Sequence, residues 1–395
     1  MIPEAKPTLC LLGKIAEITK LAGFEYTKHF DYKVGGEIIA LRSLNIRNGQ
    51  LDLSEVHTVP REVSDALPRS KLKSGDIVLG YVGSKLGNLA LIEEDDRFHL
   101  APNVALIRPR DGVDPHFLLM FMQAPFYQNQ LWALASSTGQ PALSMANIRK
   151  SKIWLPSNRN QKAIASMVSN WDRAIETVES LIANARAQKQ ALMQQLLPQG
   201  TTPPKKRLPG FSGEWREAKL GSLADISKGE QKGRASLAEE GPVPVINGGI
   251  TPSGYTDHPN TSANTITISE GGNSCGYVDL ITQPFWCGGH CYALKNLKTE
   301  RDYLFAVLKH RERQIMSLRV GSGLPNIQKK ALSQFSIPVP PKSEQVKIGE
   351  LAASADREIA ALEAQLTALR QEKAALMQQL LTGKRRVKLP ESENA

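Results

Sequence analysis

The 395-residue sequence predicts an α+β, mixed architecture in which two homologous α/β domains are each followed by one long coiled-coil helix. Three observations predict it. An offset of 184 carries Ala191-Leu192-Met193-Gln194-Gln195-Leu196-Leu197 unchanged onto the stretch from Ala375 to Leu381, and it also carries Asp172-Arg173 onto Asp356-Arg357, Gln161 onto Gln345 and Pro156 onto Pro340. A period that long means two large copies of one unit, outside the range of solenoid repeats. Within each copy an apolar seam runs at alternating steps of four and three, the pattern of a coiled coil. The segments before each seam mix short apolar runs with turn residues, as an α/β domain with much irregular loop does.

The first domain, residues 1–156, contains Gly75-Asp76-Ile77-Val78-Leu79-Gly80-Tyr81-Val82-Gly83, which reads as turn, strand and turn. The run from Val104 to Pro109 reads as a strand stopped by proline, and a helix is expected from Asp114-Pro115 through Phe117, Leu118, Phe121 and Met122. The first long helix, 157–199, carries its seam at Ile164, Val168, Trp171, Ile175, Val178, Ile182, Ala185, Lys189, Leu192 and Leu196. Residues 200–214 are polar, Pro-rich and basic, which suits an exposed linker. The second domain, 215–340, opens with Leu220-Gly221-Ser222-Leu223-Ala224-Asp225-Ile226, an echo of Leu12-Gly13-Lys14-Ile15-Ala16-Glu17-Ile18 at an offset of 208. The two offsets differ by 24, so the first copy holds that many more residues in its middle. The second long helix, 341–383, repeats the seam at Ile348, Ala352, Ala355, Ile359, Leu362, Leu366, Leu369, Lys373, Leu376 and Leu380, and a polar tail, 384–395, follows. At 1.5 Å per residue each helix is roughly 55–60 Å long. Lys189 and Lys373 interrupt both seams at the same step. Such a residue either fixes the register or snorkels out to water.

Composition bounds the function classes. The chain is 41% hydrophobic and 22% charged, and Lys and Arg outnumber Asp and Glu by 49 to 39, a formal +10 that is compatible with a polyanionic partner. No apolar run approaches the roughly 18 residues of a membrane span and the opening MIPEAKPTLC lacks the pattern of a signal peptide, so a cytoplasmic protein with reduced cysteines is expected. No phosphate-binding loop, dinucleotide fingerprint, zinc-protease motif or nucleophile elbow is present, and the Asn/Asp-Pro-Pro-aromatic motif of amino-group methyltransferases is missing too. Cys275, Cys287, His290 and Cys291 offer zinc-binding side chains without the paired hooks of a zinc site, so no metal is expected. Were Trp286 to Tyr292 one strand, Cys287 and Cys291 would share a face and His290 would point away.

The candidates for contact with DNA are cations, amides and hydroxyls in the expected loops. In the first domain they are Arg42, Asn45, Arg47, Tyr81, Ser84, Lys85, Asn88, Asn103 and Gln140, and in the second Asn247, Ser253, Tyr255, Asn273, His290, Ser322 and Asn326. Arg and Lys suit guanine edges or phosphates, and Asn and Gln suit adenine.

Taken together, Leu208-Pro209-Gly210-Phe211, Gly213, Trp215 and Leu220-Gly221, then Ile337-Pro338-Val339-Pro340-Pro341 before Glu344-Gln345 and Ile348, with twin helices ending in Met-Gln-Gln-Leu-Leu, resemble the DNA-specificity subunits of type I restriction-modification systems. The likeness covers nearly the whole chain, with two departures: the N-terminus lacks a counterpart of Trp215, and Asn160 stands where the second copy has Glu344. The resemblance implies two target-recognition domains, each reading half of a bipartite duplex sequence, and two helices packed antiparallel as a ruler between them. It further implies two methyltransferase subunits docked on the helices and restriction/translocase subunits joining for cleavage. The chain itself would be non-catalytic and without cofactor, with S-adenosylmethionine, ATP and Mg on the partners. Helices of this length could hold two readers on successive major grooves, which recur about every 34 Å. The rival readings are a coiled-coil scaffold whose domains bind protein without reading DNA and, behind it, a single-chain enzyme of unrecognised type.

Overall fold

The computed structural model describes residues 8–23, 35–47, 49–136, 139–198, 204–321, 323 and 325–387. The chain divides into two compact units, one made of residues 1–176 with 367–395 and the other of the continuous stretch 177–366.

In the first unit the strand Val104–Pro109 is central because its Val-Ala-Leu-Ile run is apolar on both faces and fully buried. It pairs antiparallel with Ala16–Lys20 on one side and Ile77–Gly80 on the other, and Leu89–Leu91 extends the sheet. Pro109 has no N–H to donate and ends the strand. A second sheet has Ile38–Leu41 in its middle, antiparallel to His57–Val59 and parallel to Phe98–Leu100. Thr8–Leu11 pairs with Lys152–Leu155. The helix Pro115–Gln123 begins where expected: the Asp114 carboxylate accepts the Phe117 N–H at 2.9 Å, and proline takes the first helical position.

The second unit repeats this plan. Cys291–Lys295 lies between Asp225–Lys228 and Thr265–Ser269, with Val278–Ile281 outermost. Val243–Ile246 is antiparallel to Tyr255–Thr256 and parallel to Trp286–Cys287, and Arg216–Lys219 pairs with Ser336–Val339. The hairpin of Ile46–Arg47 with Gln50–Leu51 and the helix Arg61–Ala66 belong to the first unit alone among the described residues, and they take up part of its extra length.

The long helices span Asn158–Leu196 and Lys342–Leu381. Prolines at 156, 340 and 341 precede them, and Pro198 and Gly383 follow. Every residue of both seams is buried or half-buried. In the first unit Ile164 and Val168 share a core with Leu380 and Leu381, against Leu12, Phe117, Phe121 and Tyr127. In the second, Met193, Leu196 and Leu197 share a core with Ile348 and Ala352, against Leu220, Tyr303 and Ile337. Early residues of one helix thus meet late residues of the other, so the helix segments run antiparallel within each unit. The two seam lysines are spoken for: Lys373 donates to Asp172 within the first unit and Lys189 to Asp356 within the second. Each lysine meets the aspartate of the other copy, so the polar step of each seam is paired across the helices and does not reach only for water.

Two glutamines tie the helix starts to their domains. Gln161, 1% exposed, accepts the Asp114 N–H at 2.8 Å and donates to Gly112 O and Pro156 O. Gln345 accepts from Thr299 Oγ1 and the Glu300 N–H, and donates to Pro340 O. Beside it Glu344, 1% exposed, takes both prongs of Arg207 at 2.9 and 2.6 Å. The basic stretch before the second domain is therefore anchored at Arg207 and is not simply a free, solvated linker.

Trp286 to Tyr292 is two strands, not one. Trp286–Cys287 and Cys291–Lys295 belong to different sheets, and Gly288-Gly289-His290 turns between them. A side chain at Gly288 would place its Cβ 2.4 Å from Asn247 Oδ1, so only glycine fits this turn. Cys287 and Cys291 are buried, and the neighbouring Cys287 thiol together with burial pushes the Cys291 thiol up. Among the described residues no group of three or more His, Cys, Asp or Glu is placed to hold a metal ion.

Candidate nucleic-acid interface

One nine-residue loop occurs in each unit, running from Gly80 to Asn88 in the first and from Ser269 to Tyr277 in the second. Its backbone is the same device twice. Gly80 N–H donates to Asn88 O at 2.9 Å and Ser269 N–H to Tyr277 O at 2.9 Å; Leu86 donates to Gly83 O at 3.0 Å and Cys275 to Gly272 O at 3.1 Å. Gly87 returns to Gly80 O as Gly276 does to Ser269 O, and Asn88 returns to Lys85 O as Tyr277 does to Ser274 O. Gly83 and Gly272 hold φ of 71° and 77°, a left-handed turn that favours glycine.

Two further segments brace each loop. Gly83 N–H donates to Pro141 O and Gly272 N–H to Pro325 O. Leu143 N–H donates to Tyr81 O and Ile327 N–H to Glu270 O. Tyr81 N–H donates to Asn103 O at 3.2 Å, and Glu270 N–H to His290 O at 2.9 Å. Tyr81 thus corresponds to Glu270, Ser84 to Asn273, Lys85 to Ser274, Asn88 to Tyr277 and Asn103 to His290. The frame is shared and the side chains it presents are not.

This frame gathers many of the sequence candidates. Tyr81, Ser84, Lys85 and Asn88 lie on the first loop, Asn103 at its base, and Gln140 against Gly83, where an added Cβ would meet its Nε2 at 2.5 Å. Ser84, Asn103 and Gln140 are exposed. Asn88 is half-buried and donates to Ile46 O at 2.9 Å, which ties the loop to the hairpin bearing Arg47. In the second unit Asn273, His290 and Asn326 are exposed around the equivalent loop. Half-buried Asn247 accepts the His290 N–H at 3.1 Å and braces its turn. Ser253 is exposed and Tyr255 half-buried at the other sheet, where neither bonds to the loop frame in the described residues. Ser322 lies outside the described residues.

Asn45 needs correction. It is 2% exposed, its amide N donates to Asp52 O at 3.0 Å and Glu55 O at 2.8 Å, and its Oδ1 accepts the Arg42 N–H. All its polar groups brace the turn Ser43–Asn45, leaving none for a base edge. Arg42 is half-buried beside it, and Arg47 is exposed with an ion pair to Asp52 at 3.3 Å.

Three functional candidates escaped the sequence: Lys20, Lys228 and Glu270. Lys20 Nζ lies 5.4 Å from the centre of the Tyr81 ring, within cation–π range. Lys228 occupies the same strand position in the second unit and contacts Glu270 Oε1 at 2.6 Å. The offset of 208 that aligns the domain starts also carries Lys20 onto Lys228, so a signal was there. Glu270 also accepts the Tyr292 hydroxyl at 3.2 Å and has His290 Nδ1 at 3.6 Å. Burial, aided by the Glu270 carboxylate, pushes the Tyr292 hydroxyl up to about 12, and its single O–H is shared between Glu270 Oε1 and Ile327 O.

Two like units, each sharing its core with both long helices and each presenting the same braced loop with different side chains, define a paired recognition protein. Residues 12–185 and 212–370 match the type I restriction modification DNA specificity domain family. The chain belongs to that family and is a type I restriction-modification specificity subunit. It is 25% identical, over 90% of its own length and 88% of the relative's, to the MjaX type I restriction enzyme specificity subunit of Methanocaldococcus jannaschii. It is 26% identical to the EcoBI specificity subunit of Escherichia coli over 52% of this chain and 41% of that one. Its fold is similar to the crystal structure of the type I S subunit from M. genitalium, with a TM-score of 0.65, 20% identity and coverage of 96% and 97% of the two chains. A second similar chain, with a TM-score of 0.58 and 20% identity over 96% and 98%, comes from a structural study of type I complex assembly and conformational transition.

Proposed function

We propose that each unit reads one half of a bipartite duplex target through its loop cluster. The long helices set the unread spacer and dock two methyltransferase subunits, with restriction/translocase subunits joining for cleavage. The chain is the non-catalytic reader of that assembly, and S-adenosylmethionine, ATP and Mg belong to the partners. The observation that supports this reading most is the twice-used loop frame with differing side chains, since two readers of unlike half-sites need a common scaffold and divergent contacts. The reciprocal Lys–Asp pairs add to it, because each unit closes its own pair of helix segments with the same contact and so offers a like seat to a like partner. Among the described residues no helix is long and apolar enough to cross a membrane, which is compatible with a reader of genomic DNA.

The test is adenine methylation across a host genome with the gene intact and deleted. The expected result is a bipartite motif with an unspecified spacer that loses methylation on deletion. Methylation confined to a contiguous motif, or unaltered by deletion, would refute the reading.

A further inference from the structure

The strand lysine of each loop cluster has a different neighbour in each unit, and that neighbour decides what the lysine can touch. In the first unit Lys20 lies over the face of Tyr81, a contact that takes up no hydrogen-bond acceptor and, among the described residues, leaves its N–H donors uncommitted. In the second, one donor of Lys228 goes to Glu270, and the carboxylate adds acceptors of its own. The Glu270 side chain is 14% exposed, so it is held rather than freely solvated, while the Lys228 side chain is 52% exposed. His290, exposed and 3.6 Å from the other carboxylate oxygen, completes the group.

We propose, resting on the half-site reading above, that the second loop position, Tyr81 in one unit and Glu270 in the other, is a specificity-determining position. Tyr81 leaves the first cluster a donor surface, suited to guanine O6 and N7 or to phosphate. Glu270 makes the second cluster a mixed surface in which a carboxylate positions Lys228 and His290 and can accept from an exocyclic amino group, as cytosine N4 presents. Because the frame is held by backbone hydrogen bonds, this position can change chemistry without changing the loop: the same N–H and C=O of residue 81 or 270 are bonded in both units.

The test compares the full chain, assembled with its methyltransferase subunits, carrying Glu270→Gln, Glu270→Tyr or Tyr81→Glu, by the methylated motif each produces. Glu270→Gln keeps the shape and removes the charge, which guards against misfolding. The expected result is a loss of about ten-fold or more in preference at one base position of the second half-site for both Glu270 variants, with the first half-site unaltered. Tyr81→Glu is expected to alter the first half-site alone. If the unsubstituted chain gives a bipartite motif and all three variants give the same one at the same methylation level, the assignment of this position is wrong while the reading of the two units stands. If the unsubstituted chain gives no bipartite motif, the half-site reading fails and this inference with it.

Discussion

Arg207 accounts for the buried carboxylate at the start of the second long helix. A buried carboxylate is tolerated at Glu344 because Arg207 satisfies it from both sides. Carried back by the 184-residue offset, Glu344 falls on Asn160, so the first copy places a neutral amide where the second has a carboxylate to satisfy. Arg207→Ala should therefore lower the urea midpoint more than the double change Arg207→Ala with Glu344→Gln, because the single change leaves a buried charge without its partner. Equal midpoints would show that the pair carries no such coupling. His310 supplies a pH dependence. Burial, with Arg311 adding to it, lowers its pKa below the ordinary 6.5, so the unfolded chain takes up a proton more readily than the folded one. Its contribution is present above about pH 6.5 and is lost as the pH falls below that value. His310→Gln should flatten the loss of stability between pH 7 and pH 5.5 in urea melts; an unaltered slope would assign that loss to other groups.

The helices and strands were the most legible elements, and the loop frame the least. Seams, stop signals and the Asp114 cap are short-range patterns, and each sits where periodicity and capping chemistry place it. The shared loop is assembled from three separate segments whose offsets differ from one another, and its hydrogen bonds run between backbone groups that carry no residue identity. Asn45 departs from expectation for a related reason: exposed and bracing amides are the same letter in a sequence, and only the buried geometry separates Asn45 from Asn103. The Lys–Asp pairs belong to this scale too. Asp172 is half-exposed and water screens it, so Lys373→Ala should cost only about 0.2–1 kcal/mol. Exchanging the charges, Asp172→Lys with Lys373→Asp, should recover part of that loss in thermal unfolding. Ile348→Ala acts by another mechanism. The side chain is 1% exposed in the second core, and its truncation should cost about 2–5 kcal/mol in the same measurement.

For the whole chain, the spacer idea makes a length prediction. Deleting Ala183 to Arg186 removes about 6 Å of helix and should change the spacing between methylated half-sites while both half-sites stay readable; the same spacing in the selected sites would refute the helices as the measure of that distance. What the sequence does not announce is that the first unit is discontinuous. Its core takes Leu380 and Leu381 from the far end of the chain, whereas the second unit is one uninterrupted stretch. Chains emerge from the ribosome N-terminus first, and domains usually fold in that order. Here the order is reversed: the second unit has all its residues once position 366 is out, while the first, though translated earliest, waits for the last turns of the final helix. A nascent chain halted shortly after that point would hold every residue of the second unit while the first still lacked Leu380 and Leu381, which close its core.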